Sequence, residues 1–293
     1  MSVRVREPSV DEAKEIAALL NEHARNAFGE TEMAEAEVRH WFSMPEIWIR
    51  VGERNGRLVG YLDAVSGGKE RALELDLRAV DAEAAAALLA AGRERANGGT
   101  VRAVVQGDDE VLRGVVERDG WQPVRYSYQM RIELSDDPPE PRWPEGISVR
   151  TMQPADEERI HAATNEAFAD DWHFHEKPFD KWRIYAFGRE NFDPTLVWLA
   201  EDDGELAGFS FNVWHFSGDP RFGWVEVLGV RPQWRRRGLA TALLHQSFRD
   251  FQRRGATRVG LGVDAQNSTG AVRLYERAGM KVARRNDTYE KRP

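Results

Sequence analysis

The stretch Val225-Glu226-Val227-Leu228-Gly229-Val230-Arg231-Pro232-Gln233-Trp234-Arg235-Arg236-Arg237-Gly238-Leu239-Ala240-Thr241-Ala242-Leu243-Leu244, running on to Phe251, decides how the chain folds. Val225, Val227, Leu228 and Val230 read as a buried strand, and Pro232 ends it, because proline has no N–H to give a sheet ladder. Beyond the basic turn, Ala240, Leu243, Leu244, Phe248 and Phe251 recur at spacings of three and four, the apolar stripe of a helix. Gly238 and Ala240 place no bulk over the first turn of that helix, whose N–H groups lack intrahelical acceptors and can face an anion. Arg235, Arg236 and Arg237 add charge where a diphosphate would lie. The order is strand, phosphate cradle, helix.

The rest of the chain sets bounds on what this cradle serves. Its 293 residues suffice for two ordinary domains, and 41% hydrophobic with 31% charged residues is the balance of a globular protein with real cores. A net charge of −8 and a pI near 5.5 exclude the broad basic face of a nucleic-acid binder, since the arginine cluster at 231–237 is local. With no cysteine, disulfides, thiolate nucleophiles and cysteine metal sites are all excluded, so acyl transfer through an acyl-cysteine is impossible. No apolar run approaches the length of a membrane span, and MSVRVREPSVDEAKE is too charged for a signal peptide; a cytoplasmic location is expected.

An internal repeat organises the chain. Val5-Arg6, Ile16 and Asn21 match Val149-Arg150, Ile160 and Asn165 at a displacement of 144 residues. Asn55-Gly56-Arg57-Leu58-Val59-Gly60-Tyr61 matches Asp203-Gly204-Glu205-Leu206-Ala207-Gly208-Phe209 at 148, and Glu117-Arg118-Asp119-Gly120-Trp121 matches Glu276-Arg277-Ala278-Gly279-Met280 at 159. Matches in one order with growing offset describe two copies of one fold. The proline- and acid-rich stretch from Ser135 to Glu145 separates them, giving a first domain over 1–137, a linker over 138–145 and a second domain over 146–293. Each copy reads as strand, helix (Asp11 to Ala27; Ala155 to Phe168), hairpin on Asn55-Gly56 or Asp203-Gly204, then strand, helix, strand, short helix and last strand.

The copies diverge at the cradle. Where the second has VEVLGVRPQWRRRGLATALL, the first has LELDLRAVDAEAAAALLAAG from Leu73 to Gly92, with no opening glycine, no arginine cluster, and Asp76, Asp81 and Glu83 to repel a diphosphate. The first copy is therefore expected to have lost this binding site and to serve as a packing partner or a wall of the acceptor site.

A second motif lies downstream: Asn267-Ser268-Thr269-Gly270-Ala271-Val272-Arg273-Leu274-Tyr275-Glu276-Arg277-Ala278-Gly279-Met280. Asn267 and Ser268 are suited to cap a helix that Gly279 ends. Together with Arg235, Gly238 and Ala240 at the spacing of an acyl-CoA signature, it resembles the GNAT superfamily of N-acetyltransferases, with Met280 in place of the usual aromatic. The resemblance covers nearly the whole chain. It implies an α/β fold with a mixed α+β sheet, built as two tandem GNAT-like domains of which the first is degenerate. It also implies acetyl-CoA as acyl donor, no metal, and transfer of the acetyl group to a primary amine of a small molecule by direct attack on the thioester.

The resemblance assigns residues as well. Leu228, Gly229 and Val230 would hold the pantetheine arm in a splay between the strands at 225–230 and 259–263, while Arg235, Arg236, Arg237, Gly238, Leu239, Ala240 and Thr241 hold the diphosphate and Asn267 completes the cofactor site. Tyr275 would protonate the departing thiolate. The base is open: Glu226 shares a face with Trp224, Leu228 and Val230 if alternation is unbroken, but many members of the family carry their strand glutamate two positions earlier, and an arginine-paired strand carboxylate is the other reading. Within Phe168 to Tyr185, Asp171, Trp172, His173 and His175, with Trp214 and His215 from elsewhere, are candidates for gripping a cationic amine. Asp170, Asp171, His173 and His175 form too loose a pattern for a metal site.

The tandem layout is similar to mycothiol synthase, which implies a cysteinyl pseudodisaccharide as one alternative acceptor; a catalytically silent CoA-binding sensor or scaffold is the other reading. The expected partner is a small-molecule amine, without nucleic acid or membrane, in a monomer that is a pseudo-dimer of its two domains, or in a homodimer.

Overall fold

The computed structural model describes the chain apart from residues 1, 68–71, 136, 173 and 268. It begins with β1 (Arg4–Arg6), α1 (Ala13–Phe28) and α2 (Glu35–Ser43). Ser9 and Glu12 form a reciprocal capping box ahead of α1, and Gly29, at φ 78°, supplies the left-handed residue that ends it. The antiparallel hairpin of β2 (Trp48–Arg54) and β3 (Arg57–Gly67) turns on Asn55 and Gly56, both left-handed at φ 54° and 74°, as a two-residue type I′ turn requires. β4 (Ala72–Ala79), α3 (Ala82–Arg95), β5 (Val101–Gln106), α4 (Glu110–Arg118) and β6 (Gln122–Glu133) follow.

The second half repeats this order: β7 (Ile147–Thr151), α5 (Glu157–Phe168), α6 (Phe179–Phe187), β8 (Val197–Asp202), β9 (Glu205–Trp214), β10 (Phe222–Val230), α7 (Leu239–Arg253), β11 (Arg258–Asp264), α8 (Ala271–Arg277) and β12 (Lys281–Lys291). Its hairpin turns on Asp203 and Gly204 at φ 48° and 80°. One difference from the sequence reading recurs in both halves: a second helix, α2 or α6, stands between the first helix and the hairpin.

Two compact units result. The first comprises 1–127 with 188–190 and 284–293, the second 128–187 with 191–283. In the first unit the strands run β1-β2-β3-β4-β5-β12, with β4 and β5 parallel and the other registered pairs antiparallel. In the second they run β7-β8-β9-β10-β11-β6, with β10 and β11 parallel. The closing strand of the first unit thus comes from the end of the chain: Asn286 to Lys291 pair with Gln106 to Val101, and Arg102, 3% exposed, donates to Glu290 at 2.8 Å and to Glu74 at 3.1 Å. The closing strand of the second unit is the C-terminal part of β6, where Met130 is fully buried and Leu134 N–H donates to Thr257 C=O. A hydrophobic pattern marks these segments as strands without saying which sheet edge each completes.

Equivalent glycines set the approach of helix to sheet in each unit. A Cβ on Gly60 would come within 2.6 Å of Leu88 of α3, and one on Gly208 within 2.9 Å of Gly229 C=O and 3.3 Å of Leu239 of α7. Leu243, Leu244, Phe248 and Phe251 of α7 are completely buried, as their spacing predicts, and each contributes about 1.5–3 kcal/mol of burial. Among the described residues no helix is long and apolar enough to cross a membrane.

Candidate active site

The second unit's site starts with an irregularity in β10. Its register against β9 runs from Gly223↔Trp214 to Val225↔Asn212, then shifts by one, resuming at Val227↔Phe211 and ending at Val230↔Gly208. Glu226 is the extra residue of this bulge and is exposed. The bulge reverses the alternation beyond it. Trp224 and Val227 pack with Phe209, Phe211 and Val213, whereas Val225, Leu228 and Val230 contribute to the cores beneath α7. The expectation that Glu226, Trp224, Leu228 and Val230 share one face is therefore corrected, because period-two counting cannot register an inserted residue.

On its other side β10 pairs with β11 only from Phe222↔Arg258 to Val225↔Leu261. From Glu226 to Val230 the strand carries no registered partner on β11, and the two strands part. Val227 to Val230 stay registered with β9, so it is their side toward β11 that lacks a registered strand partner.

The segment leads through a 3₁₀ turn, Pro232–Trp234, into the basic loop. Trp234 is buried and its indole N–H donates to Asp202 at 2.7 Å, while Arg231 pairs with Glu166 at 2.6 Å and lies over the Trp234 ring at 4.9 Å. Arg235 turns inward: its Nε donates to Val230 C=O at 3.1 Å and its Nη2 to Ala167 C=O at 2.8 Å. Its guanidinium braces the loop against the end of α5, leaving backbone as its contribution to an anion site. Arg236, left-handed at φ 61°, and Arg237, which donates to Asp202 at 3.3 Å, are exposed and place positive charge at the surface of the loop.

Gly238 is the N-cap of α7, at φ 87°, with no side-chain cap bond and nothing within 4 Å of a Cβ placed on it. The N–H groups of Leu239, Ala240 and Thr241, in the first turn of a 15-residue helix, open onto this space. Leu239 itself is buried, so only its backbone is on offer.

The second motif delivers a buried phenol. The N-cap of α8 is Gly270, at φ 80° and without a side-chain cap bond. Asn267 therefore does not cap the helix as expected; Ser268 lies outside the described residues. The Asn267 Oδ1 instead accepts from the Thr269 N–H at 2.7 Å and from its hydroxyl, which leaves Nδ2 to donate to Asp171 Oδ1 at 3.2 Å. Gly279, at φ 92°, ends α8 as the sequence predicts. Tyr275 is 8% exposed, and burial, then the charge of Asp171, push its phenol up to about 12.

The sequence candidates thus separate. Leu228, Gly229, Val230, Gly238, Leu239, Ala240 and Thr241 line the splay and the helix entrance, and Asp171 and Asn267 meet near Tyr275. Trp172 and His175 are half-buried in the segment between α5 and α6, and His173 lies outside the described residues. Trp214 packs edge-on against Phe251 at 5.4 Å, in the core below α7, and His215 stacks on Phe222 at 4.0 Å; both are held by neighbours in the core. Sequence reasoning missed Asp202, Glu166 and the Ala167 carbonyl, the groups that shape the loop, because each lies more than 30 residues from its arginine and follows no motif.

Residues 158–280 match the acetyltransferase (GNAT) family. The chain is similar to the mycothiol acetyltransferase of Streptomyces coelicolor, 36% identical over 199 residues that are 66% of this chain and 60% of that protein, so it spans less than two thirds of that relative. It is also similar to the mycothiol acetyltransferase of Actinosynnema mirum, 34% identical over 78% of this chain and 73% of that protein. A tandem GNAT protein from the clavulanic acid biosynthesis pathway superposes with a TM-score of 0.78 at 15% identity, covering 99% of this chain and 98% of that one, a likeness of fold. The chain belongs to the GNAT family of acetyltransferases, carrying two copies of the fold in tandem.

Proposed function

We propose that the second unit transfers an acetyl group from acetyl-CoA to a primary amine, by direct attack of the amine nitrogen on the thioester. The observation that carries this reading is the end of registered β11 pairing at Val225, after which Val227 to Val230 keep β9 on one side only and lead into the first turn of α7, a place for an extended arm on the other side. An arm lying along Leu228, Gly229 and Val230 as an added strand would end with its thioester near the bulge, where an N–H of β10 polarises the carbonyl. The diphosphate would rest on the N–H groups of Gly238 to Thr241, with Arg236 and Arg237 balancing its charge. As the C–N bond forms and the C–S bond breaks, Tyr275 gives its proton to the departing sulfur. The amine loses a proton to Glu226, directly or through water, since the bulge presents that carboxylate to solvent.

The first unit, in this reading, holds no CoA. The identity of the relatives favours a cysteinyl pseudodisaccharide amine as acceptor, over other small amines. The test is acetyl-CoA-dependent acetylation across a panel of primary amines that includes cysteinyl glycosides. Turnover on at least one amine, with release of free thiol, is expected. Tight CoA binding with no turnover on any of them would instead support a CoA-sensing module.

A further inference from the structure

Beneath α7, among apolar side chains, three polar ones form a connected group. Ser210 and Asn212 of β9 and Ser247 of α7 are all at most 2% exposed. The two serine hydroxyls lie 2.8 Å apart, Ser210 Oγ donates to Asn212 Oδ1 at 2.9 Å, and Asn212 Nδ2 donates to Leu196 C=O at 2.7 Å. That last bond settles the orientation of the amide. Ser247 Oγ also lies 2.9 Å from Leu243 C=O, which the α7 backbone ladder already supplies with a donor. The two hydroxyl protons therefore satisfy the most acceptors when they run one way, from Ser247 to Ser210 to Asn212. Every side chain then has a partner, the condition under which a buried polar network fixes a single arrangement.

The group sits at the level of the bulge. Asn212 faces Val225 and Ser210 faces Leu228 across the strands, so the two residues flank Glu226 from β9 and are tied to each other. Ser247 lies eight residues beyond Leu239, about 12 Å along the helix from the first turn. Its hydroxyl contact pegs α7 lengthwise to the sheet at that depth. The first copy of the fold manages without such a peg. By the 148-residue displacement Leu62 and Ala64 stand for Ser210 and Asn212, and both are buried. Every buried residue of α3 is alanine, leucine or glycine, and β4 meets β3 without a bulge. Packing a helix on this sheet needs no polar group; the peg accompanies the bulge and the open helix end.

We propose that Ser210, Asn212 and Ser247 are positioning residues that set the distance between the first turn of α7, where the diphosphate rests, and the bulge, where the thioester carbonyl is polarised. The inference rests on the site proposed above. Apolar contacts carry no direction, so a core can repack around a shifted helix, whereas a hydrogen bond weakens steeply outside its range of length and angle. A cofactor held at both ends is sensitive to that distance, because a small misplacement of the reacting carbon costs rate even when each end still binds. All three side chains are sealed from solvent, so they act through the backbone they hold and not by contact with CoA.

The test uses the full chain as wild type, Ser210→Ala, Ser247→Ala and the double variant. Calorimetry measures the affinity for the nucleotide half of CoA, a phosphoadenosine diphosphate without the arm, and infrared spectroscopy reads the C=O stretch of bound, carbonyl-labelled acetyl-CoA. Wild-type binding is expected to move that stretch to lower frequency. In the variants at least half of this shift should be lost, while the nucleotide half binds within about twofold of the wild type. The double variant should lose no more than the worse single one, since both serines serve one contact. A full shift retained in the double variant overturns the peg. Loss of affinity for the nucleotide half also overturns it, because the network would then support α7 as a whole. A wild-type stretch that binding leaves unmoved overturns the proposed placement of the thioester, and the peg with it.

Discussion

The helices α7 and α3 occupy equivalent places in two copies of one fold, and their entrances are built for opposite ends. Eight residues, Arg231 to Gly238, lead from β10 into α7, and the first turn faces open space above a glycine. Only Val80 and Asp81 lead from β4 into α3, and the first turn is filled from within. Asp81 Oδ1 accepts from Ala84 N–H at 2.9 Å, and Arg54 holds the same carboxylate at 2.7 and 3.0 Å with Glu83 at 3.2 Å. The protein's own carboxylate and guanidinium stand where α7 leaves room for a phosphate and its counter-charge. The difference extends along the site. β4 meets β3 in an unbroken register from Gly60↔Ala79 to Gly67↔Ala72, with no counterpart of the bulge at Glu226. By the 159-residue displacement, Tyr275 corresponds to Val116, which is fully buried and carries no proton to give. One copy keeps an open helix end, a bulge and a phenol; the other has replaced each with self-sufficient packing.

The comparison can be broken most forcefully at the phenol. Tyr275→Phe is expected to lower kcat by about 10²–10³ while changing the KM for acetyl-CoA less than threefold, since general acids contribute on that scale and the hydroxyl is remote from the diphosphate. Stopped turnover with lost CoA affinity would make Tyr275 a packing residue. A smaller effect is expected at the loop's brace. Arg235→Ala should weaken CoA binding about tenfold by freeing the Val230 and Ala167 carbonyls, and Arg235→Lys should fail to restore it, because one ammonium on a flexible stem does not reproduce the guanidinium's two-point span. Equal recovery by lysine would show that only charge matters.

The smallest effect sharpens the contrast from the first unit. Asp63, directly across from Asp76 in the β3–β4 register, is pushed up to about 8 by burial and then by Asp76, against the pull of the Tyr61 hydroxyl and Arg78. Its folded value lies above its ordinary 3.8, so the folded chain binds the extra proton between those values. The resulting stability is full below about 4 and is lost as pH rises toward 8. Asp63→Asn should flatten the dependence of melting temperature on pH across 5 to 8; an unaltered slope would place the titration elsewhere.

The tandem fold was legible because its punctuation is local. Asn55-Gly56 and Asp203-Gly204 announce the same hairpin twice, and the glycine-opened stripe from Ala240 to Phe251 announces α7. What escaped is non-local or a break in period. The bulge at Glu226 inserts a residue without altering composition, so counting by twos assigns the wrong face beyond it. The role of Arg235 depends on Ala167, 68 residues away, and that of Asn267 on Asp171, 96 residues away. The strand that completes the first unit is the last of the chain, a pairing that only tertiary contact chooses. Helices α2 and α6 are short, nine residues each, and α6 has no fully buried residue, so neither carries a long apolar stripe to announce it.

The most direct test of this contrast is calorimetric titration of acetyl-CoA into the full chain, alongside Gly238→Glu and, as a control for backbone strain at φ 87°, Gly238→Ala. One site per chain is predicted, weakened about a hundredfold by glutamate, roughly 2.7 kcal/mol, and much less by alanine. Two sites per chain, or an affinity that glutamate leaves untouched, would contradict it.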